Sequence, residues 1–270
     1  SREMADFNEE QLKRIYFRLL TITNPGAKQH LLVNRIDADG FFSLGPRQLE
    51  LAGLSPAEIR AVRERNWTSA ENEAARSKAN HIEIIFRGED DYPPLLGEIF
   101  DPPDYIYFAG NREFLAKTKL AVVGSRRGGA YGQSVINRIL PECIRAGLVI
   151  VSGMAYGIDS MAHRSALREN GATIGVNAGG LLHLNPPGNR GLIKKIIDQG
   201  GIISEFPLDV VPRPFLFPVR NRVISGISKA VLVVEMSMGQ VLAQVRAAVT
   251  DPERVFLANR VDGHLIAPAD

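Results

Sequence analysis

Six short apolar runs rich in β-branched residues recur from residue 120 onward, at 120–123, 148–151, 173–176, 201–204, 230–234 and 254–257. Amphipathic patterns of helical period fill much of the space between them, at 133–146, 160–170, 191–199 and 240–248. A strand with one wet face alternates apolar and polar residues. A strand that is apolar throughout is covered on both faces, as in a parallel sheet flanked by helices. The pattern therefore predicts an α/β fold: an extended Rossmann-like, doubly wound, mostly parallel sheet. In such sheets ligands bind beyond the carboxyl ends of the strands.

The first part of the chain reads differently. Leu12, Ile15, Tyr16, Leu19 and Leu20 are spaced as on one helix face. Asn24-Pro25-Gly26 breaks that helix, and a second is expected over 27–35. Gly45-Pro46 opens a further helix over 46–52. Ser55-Pro56-Ala57-Glu58 opens another, with Ser55 as cap, Pro56 in the first turn and Glu58 closing a capping box. We therefore expect a small helical domain over 1–78 and the Rossmann-like domain over 79–270. Within the latter, 79–119 supplies leading strands at 81–86 and 105–108, joined by a proline-rich connector that packs on the sheet.

Charge is unevenly distributed. Residues 120–235 hold 13 Lys/Arg against 7 Asp/Glu, an excess of 6 in a chain whose net charge is +2. A local excess of that kind suits a polyanion, although ordinary surface scatter produces it too. The single cysteine, Cys143, excludes an internal disulfide and a cysteine metal cluster; its apolar helical setting reads as a buried structural thiol. No apolar run is long enough to span a membrane, and Ser1-Arg2-Glu3-Met4 is not a signal core. The expectation is a cytoplasmic protein with no membrane partner.

The strand ends are where chemistry is expected. After the first run comes Gly124-Ser125-Arg126-Arg127-Gly128-Gly129. Glycines let backbone N–H groups approach an anion, the next helix adds its positive end, and the arginines add charge. Ser152-Gly153 and Gly157-Ile158-Asp159 follow the second run, Asn177-Ala178-Gly179-Gly180 the third, and Phe217-Pro218-Val219-Arg220-Asn221-Arg222 precedes the fifth. Each has a plainer reading. Asp159 suits a helix cap, His163 local packing, and Phe215 and Phe217 the core. Arg222 is placed to form an ion pair with Glu205 or Glu235. The first loop is not Gly-x-Gly-x-x-Gly, and Gly-x-x-x-x-Gly-Lys-[Ser/Thr], His-Glu-x-x-His and zinc-like spacings are all absent. Neither a nucleotide cofactor nor a metal is expected.

Several segments together resemble one family. They are Val122-Val123-Gly124-Ser125-Arg126, then Val151-Ser152-Gly153-Met154-Ala155-Tyr156-Gly157-Ile158-Asp159 with Ala162-His163, and Pro186-Pro187-Gly188-Asn189-Arg190. Ser204-Glu205-Phe206-Pro207 follows, then Phe217-Pro218-Val219-Arg220-Asn221-Arg222 leading to Val233-Val234-Glu235. Upstream, Tyr92-Pro93-Pro94-Leu95-Leu96 and Asp101-Pro102-Pro103 fit as well. The chain resembles the bacterial DNA-processing protein A (DprA/Smf) family over about residues 90 to 235.

That resemblance implies a sterile-alpha-motif-like or helix-hairpin-helix-like N-terminal domain before the Rossmann fold. It implies a homodimer that binds single-stranded DNA, protects incoming DNA and loads RecA recombinase in natural transformation, without catalysis. Carried onto this sequence, the DNA-contacting set is Gly124, Ser125, Arg126, Arg127, Gly153, Asn189, Arg190, Arg220, Asn221 and Arg222. Tyr156 stands where many members have lysine, and Met236-Ser237-Met238-Gly239-Gln240 is shorter than the family's serine- and glycine-rich loop. A C-terminal winged-helix domain found in some members is expected to be missing from this chain. Two other readings stay open. One is a nucleotide hydrolase or phosphoribohydrolase using Glu205 or Glu235 as base, although its usual proline-glycine-glycine-x-glycine-threonine loop is not found. The other is a scaffold acting only through protein partners.

Overall fold

A computed structural model describes residues 7–20, 36–184, 186–235, 240–248 and 251–259. The helix expected over 27–35 and most of the Met236–Gln240 loop lie outside the described residues. The chain divides into two compact units, Ser1–Asn80 and His81–Asp270.

The first unit is helical, with helices at Glu9–Leu19, Ala38–Ser43, Pro46–Leu51, Pro56–Glu64 and Thr68–Ala79. Side chains define their starts. Ser55 Oγ accepts the Glu58 N–H at 3.3 Å while Glu58 accepts the Ser55 N–H at 2.7 Å, a reciprocal capping box. Asn8 and Gln11 repeat the device at the first helix. Trp67 meets the rings of Tyr16 and Phe42 nearly edge-on, at 5.2 and 5.5 Å between centroids. These rings, with Phe41, Leu49 and Val62, make the unit's core.

Among the described residues the second unit holds an eight-stranded sheet. Its strands are β1 (Glu83–Phe86), β2 (Tyr105–Gly110), β3 (Lys119–Gly124), β4 (Val149–Ser152), β5 (Thr173–Val176), β6 (Gly201–Ser204), β7 (Ala230–Glu235) and β8 (Val255–Asn259). The order is β1-β2-β6-β5-β4-β3-β7-β8. β2 lies antiparallel to both β1 and β6, and every other pair is parallel. Strand periodicity sorts the apolar side chains to two faces. Ala121, Val151 and Val233 join one cluster, with Val223 and Ile224 packed on it; Val122, Ile150 and Leu232 join the other, under Ile136, Leu140 and Ala162. Both faces are therefore dry, as the continuous apolar runs require.

The topology fixes one special position. From β3 the chain steps outward through β4, β5 and β6, then crosses back to place β7 on the other side of β3. The switch point lies between the carboxyl ends of β3 and β7, where Gly124 and Glu235 end their strands. Gly124 is required there, because a Cβ would strike the Val234 carbonyl oxygen and lie 2.8 Å from Ile158.

One element differs from the sequence reading. The segment 217–222, placed there before the fifth run with no helix assigned, lies in a helix, Leu216–Gly226. Pro218 occupies its first turn, where no intrahelical N–H donor is needed, so the proline is compatible with a helix it seemed to forbid.

Candidate nucleic-acid interface

Three strand-end segments converge beside the switch point. The first is the turn after β3. The Ser125 carbonyl accepts N–H groups from Gly128 at 3.2 Å and Ile158 at 3.1 Å, and Ser125 Oγ accepts the Arg127 N–H at 3.2 Å. The turn is thus tied to the start of the Ile158–Arg168 helix, leaving Ser125, Arg126 and Arg127 exposed. The Gly129–Arg145 helix begins here with no acidic residue in its first turn. Its positive end is unopposed locally.

The second segment, after β4, is tightly constrained. Met154 is buried with φ of 64°, a left-handed conformation costly for a side chain of this kind. Gly157 has φ of 78°, and a Cβ there would strike the Ser125 carbonyl oxygen and lie 2.5 Å from the Arg126 carbonyl. The two loops are therefore in backbone contact. Asp159 does not cap the helix, as its position suggested. The cap is Gly157, and the buried Asp159 carboxylate accepts the Ala155 N–H at 3.2 Å from inside the first turn. Ser160 Oγ donates to the Ala155 carbonyl at 2.7 Å and accepts Asn189 Nδ2 at 3.0 Å. That link joins the β4 loop to the start of the Arg190–Gln199 helix.

The third segment is the Leu216–Gly226 helix. Arg220 is only 4% exposed. Its guanidinium donates to the Gly153 carbonyl at 2.6 Å and to the Val176 carbonyl, bridging the ends of β4 and β5. A Cβ at Gly153 would lie 2.7 Å from both terminal guanidinium nitrogens and from Asp159 Oδ2, so only glycine fits between the two charges. Burial raises the Asp159 carboxyl pKa, and Arg220 opposes that rise; burial likewise lowers the Arg220 pKa. Phe217 connects this buried cation to the surface. Its ring centroid lies 5.7 Å from the Arg220 guanidinium carbon and 5.3 Å from that of exposed Arg126.

The sequence-selected residues thus separate by position. Arg126 and Arg220 meet at Phe217, Gly153 receives the Arg220 guanidinium, and Gly124 ends β3 at the switch point. Ser125 and Arg127 flank them in the same exposed turn, and Asn189 is tied in through Ser160. Arg190 and Asn221 are exposed on their own helices. Arg222 turns away and pairs with buried Glu205 at 2.7 Å, with Asp101 at 3.6 Å. Phe217 and Tyr156 had no assigned place among the contact residues. Both were visible as aromatics beside Gly- or Pro-marked strand ends; Tyr156 is 54% exposed.

His163 is fully buried beneath this cluster. Thr173 Oγ1 gives its one proton to the Ile150 carbonyl at 2.8 Å, so the 2.7 Å contact between Thr173 and His163 requires a proton on Nδ1. Burial, and then the field of Arg220, press the imidazole pKa down to about 3. Among the described residues no cluster of three or more His, Cys, Asp or Glu side chains is arranged to hold a metal, and no helix is long and apolar enough to cross a membrane.

Residues 83–265 match the family model described as DNA recombination-mediator protein A. The chain is 42% identical over 145 residues to the DNA processing protein DprA of Bacillus subtilis, covering 53% of this chain and 49% of that protein. It is 40% identical over 179 residues to protein Smf of Escherichia coli, covering 66% of this chain and 48% of that protein. The chain spans about half the length of these curated relatives. Among solved structures, DprA from Streptococcus pneumoniae superposes with a TM-score of 0.69 at 28% identity, covering 94% of this chain and 87% of that one. DprA from Helicobacter pylori, described for its single-stranded DNA binding mode, superposes with a TM-score of 0.59 at 25% identity, covering 67% and 82%. With the switch-point sheet and the matched span in agreement, this chain belongs to the DNA-processing protein A (DprA/Smf) family.

Proposed function

We propose that the chain binds single-stranded DNA at the β3–β7 switch point, acts as a homodimer and delivers the strand to RecA recombinase without catalysing a reaction on it. The observation that carries the reading is exposed Arg126, set against Phe217 at the mouth of two constrained glycine loops and beside an unopposed helix start. Backbone phosphates would meet Arg126, Arg127, Ser125 and the N–H groups after Gly124, with Arg190 and Asn221 at the margins. Gly153, Asn189, Arg220 and Arg222 would serve by holding the loops, because three are buried and the fourth is ion-paired. The solved relative described for its single-stranded DNA binding mode supports the substrate class. Such contacts read phosphate and not base edges, so binding would tolerate any sequence.

Arg126→Ala tests the site because its side chain is exposed and its loss leaves the turn's hydrogen bonds in place. A titration on oligothymidylate at two salt concentrations should show about tenfold weaker binding, with a salt slope lower by about 0.7, the value for one phosphate contact on a single strand. Wild-type affinity and slope in the variant would remove this loop from the interface. Light scattering with and without DNA tests the dimer, and recombinase filament assembly on a pre-bound strand tests delivery.

A further inference from the structure

A second basic tract leaves the switch point and runs down the outside of the sheet. The Ile158–Arg168 and Arg190–Gln199 helices both begin at the carboxyl end of the sheet, after β4 and β5, and pack side by side. Between them lies a groove of about 770 Å³, lined by Arg164, Arg168, Lys195 and Asp198 among others. Arg164 and Arg168 are four residues apart and share one helix face. Arg168 is steadied by Asn137 Oδ1 at 3.0 Å. Arg164 and Lys195 are exposed and make no ion pair among the described residues. Three cations therefore face one carboxylate along the groove.

The groove is continuous with the strand-end loops. Gly188 and Asn189 line its upper end. A Cβ at Gly188 would lie 2.8 Å from the Tyr156 hydroxyl, so exposed Tyr156 stands where the groove opens. Asn189 is hydrogen-bonded through Ser160 to the Ala155 carbonyl of the β4 loop. A polyanion leaving Arg126 thus meets an aromatic ring and then a basic channel about 15 Å long, the length of the ten-residue Arg190–Gln199 helix that lines it from end to end.

We infer that this interhelical groove is a second tract for the same DNA strand, with Arg164, Arg168 and Lys195 holding the phosphates that extend past the switch point and Tyr156 offering a stacking face at the entrance. The inference rests on the proposed switch-point site, since the groove extends that path. Its cations are point contacts on a flexible chain, so the tract should add affinity only for strands long enough to reach it.

The test is a length series of oligothymidylate titrated against the full chain and Arg164→Ala/Lys195→Ala, both checked by light scattering for equal subunit number. Short strands that only fill the switch point should bind both proteins alike. Strands several-fold longer should bind the variant about tenfold more weakly, with a salt slope lower by about 1.4 for two lost phosphate contacts. Equal affinity at every length would overturn the groove, and so would an equal loss at every length, which would place these cations in the first site. If the unaltered chain binds no strand at all, the switch-point reading fails first, a result distinct from either. Circular dichroism and a thermal melt of the variant exclude unfolding as the cause.

Discussion

Replacing Arg220 with methionine should destabilise the fold by about 3–5 kcal/mol, the range for removing one member of a buried charge arrangement. The guanidinium is 4% exposed and donates to two main-chain carbonyls, those of Gly153 and Val176. Methionine fills similar volume but donates nothing, so both carbonyls lose a partner in a site closed to water. Each orphaned acceptor costs about 1–3 kcal/mol. Asp159 loses the positive field that opposes its desolvation. The double variant Arg220→Met/Asp159→Asn should recover part of the loss, because the stranded carboxylate is gone while its acceptor for the Ala155 N–H remains. Urea unfolding followed by circular dichroism measures all three proteins. An unchanged midpoint in Arg220→Met, with DNA affinity lost, would make Arg220 a contact residue and not a brace between strands.

Arg220 and Arg222 show why the site was only half legible. With no helix assigned, Arg220-Asn221-Arg222 puts two cations beside one pocket. In a helix of 3.6 residues per turn, side chains two apart diverge by about 200°. One arginine therefore reaches Gly153 while the other reaches Glu205. Pro214 and Pro218 hid the helix, since proline normally argues against one and its tolerance in the first turn depends on where the helix begins.

The parallel core was readable because both faces are dry, which writes itself into continuous apolar runs. The capping box at Ser55 was readable because both partners lie within four residues, and the structure adds a second of the same spacing at Asn8. Strand order is a different matter. The antiparallel seat of β2 against β6 joins Phe108 to Ile203, partners almost a hundred residues apart. No local pattern encodes that pairing. The same limit hid Phe217, which links Arg220, one turn along its own helix, to Arg126 from a distant part of the chain.

Acid should weaken this fold through His163. Its folded pKa is about 3, below the ordinary 6.5, because burial and the charge of Arg220 both disfavour the imidazolium. Above pH 6.5 neither state carries the extra proton, and the neutral ring, donating to Thr173, contributes fully. As pH falls below that value the unfolded chain takes up the proton and the folded chain does not. Stability then drops by about 1.4 kcal/mol per pH unit, a loss of about 3 kcal/mol by about pH 4. Asp159 acts in the opposite sense, since its raised pKa lets the folded state gain a proton first. Total stability is therefore a poor readout, and the difference between wild type and His163→Gln isolates the imidazole. The glutamine side chain keeps an amide donor in reach of Thr173 but cannot titrate. Urea unfolding of the two proteins from pH 7 to pH 4 should give curves that separate steadily in the acid range, the variant falling less. Parallel curves would mean that the ring takes up its proton at the same pH folded and unfolded, so that neither burial nor the positive field of Arg220 shifts it.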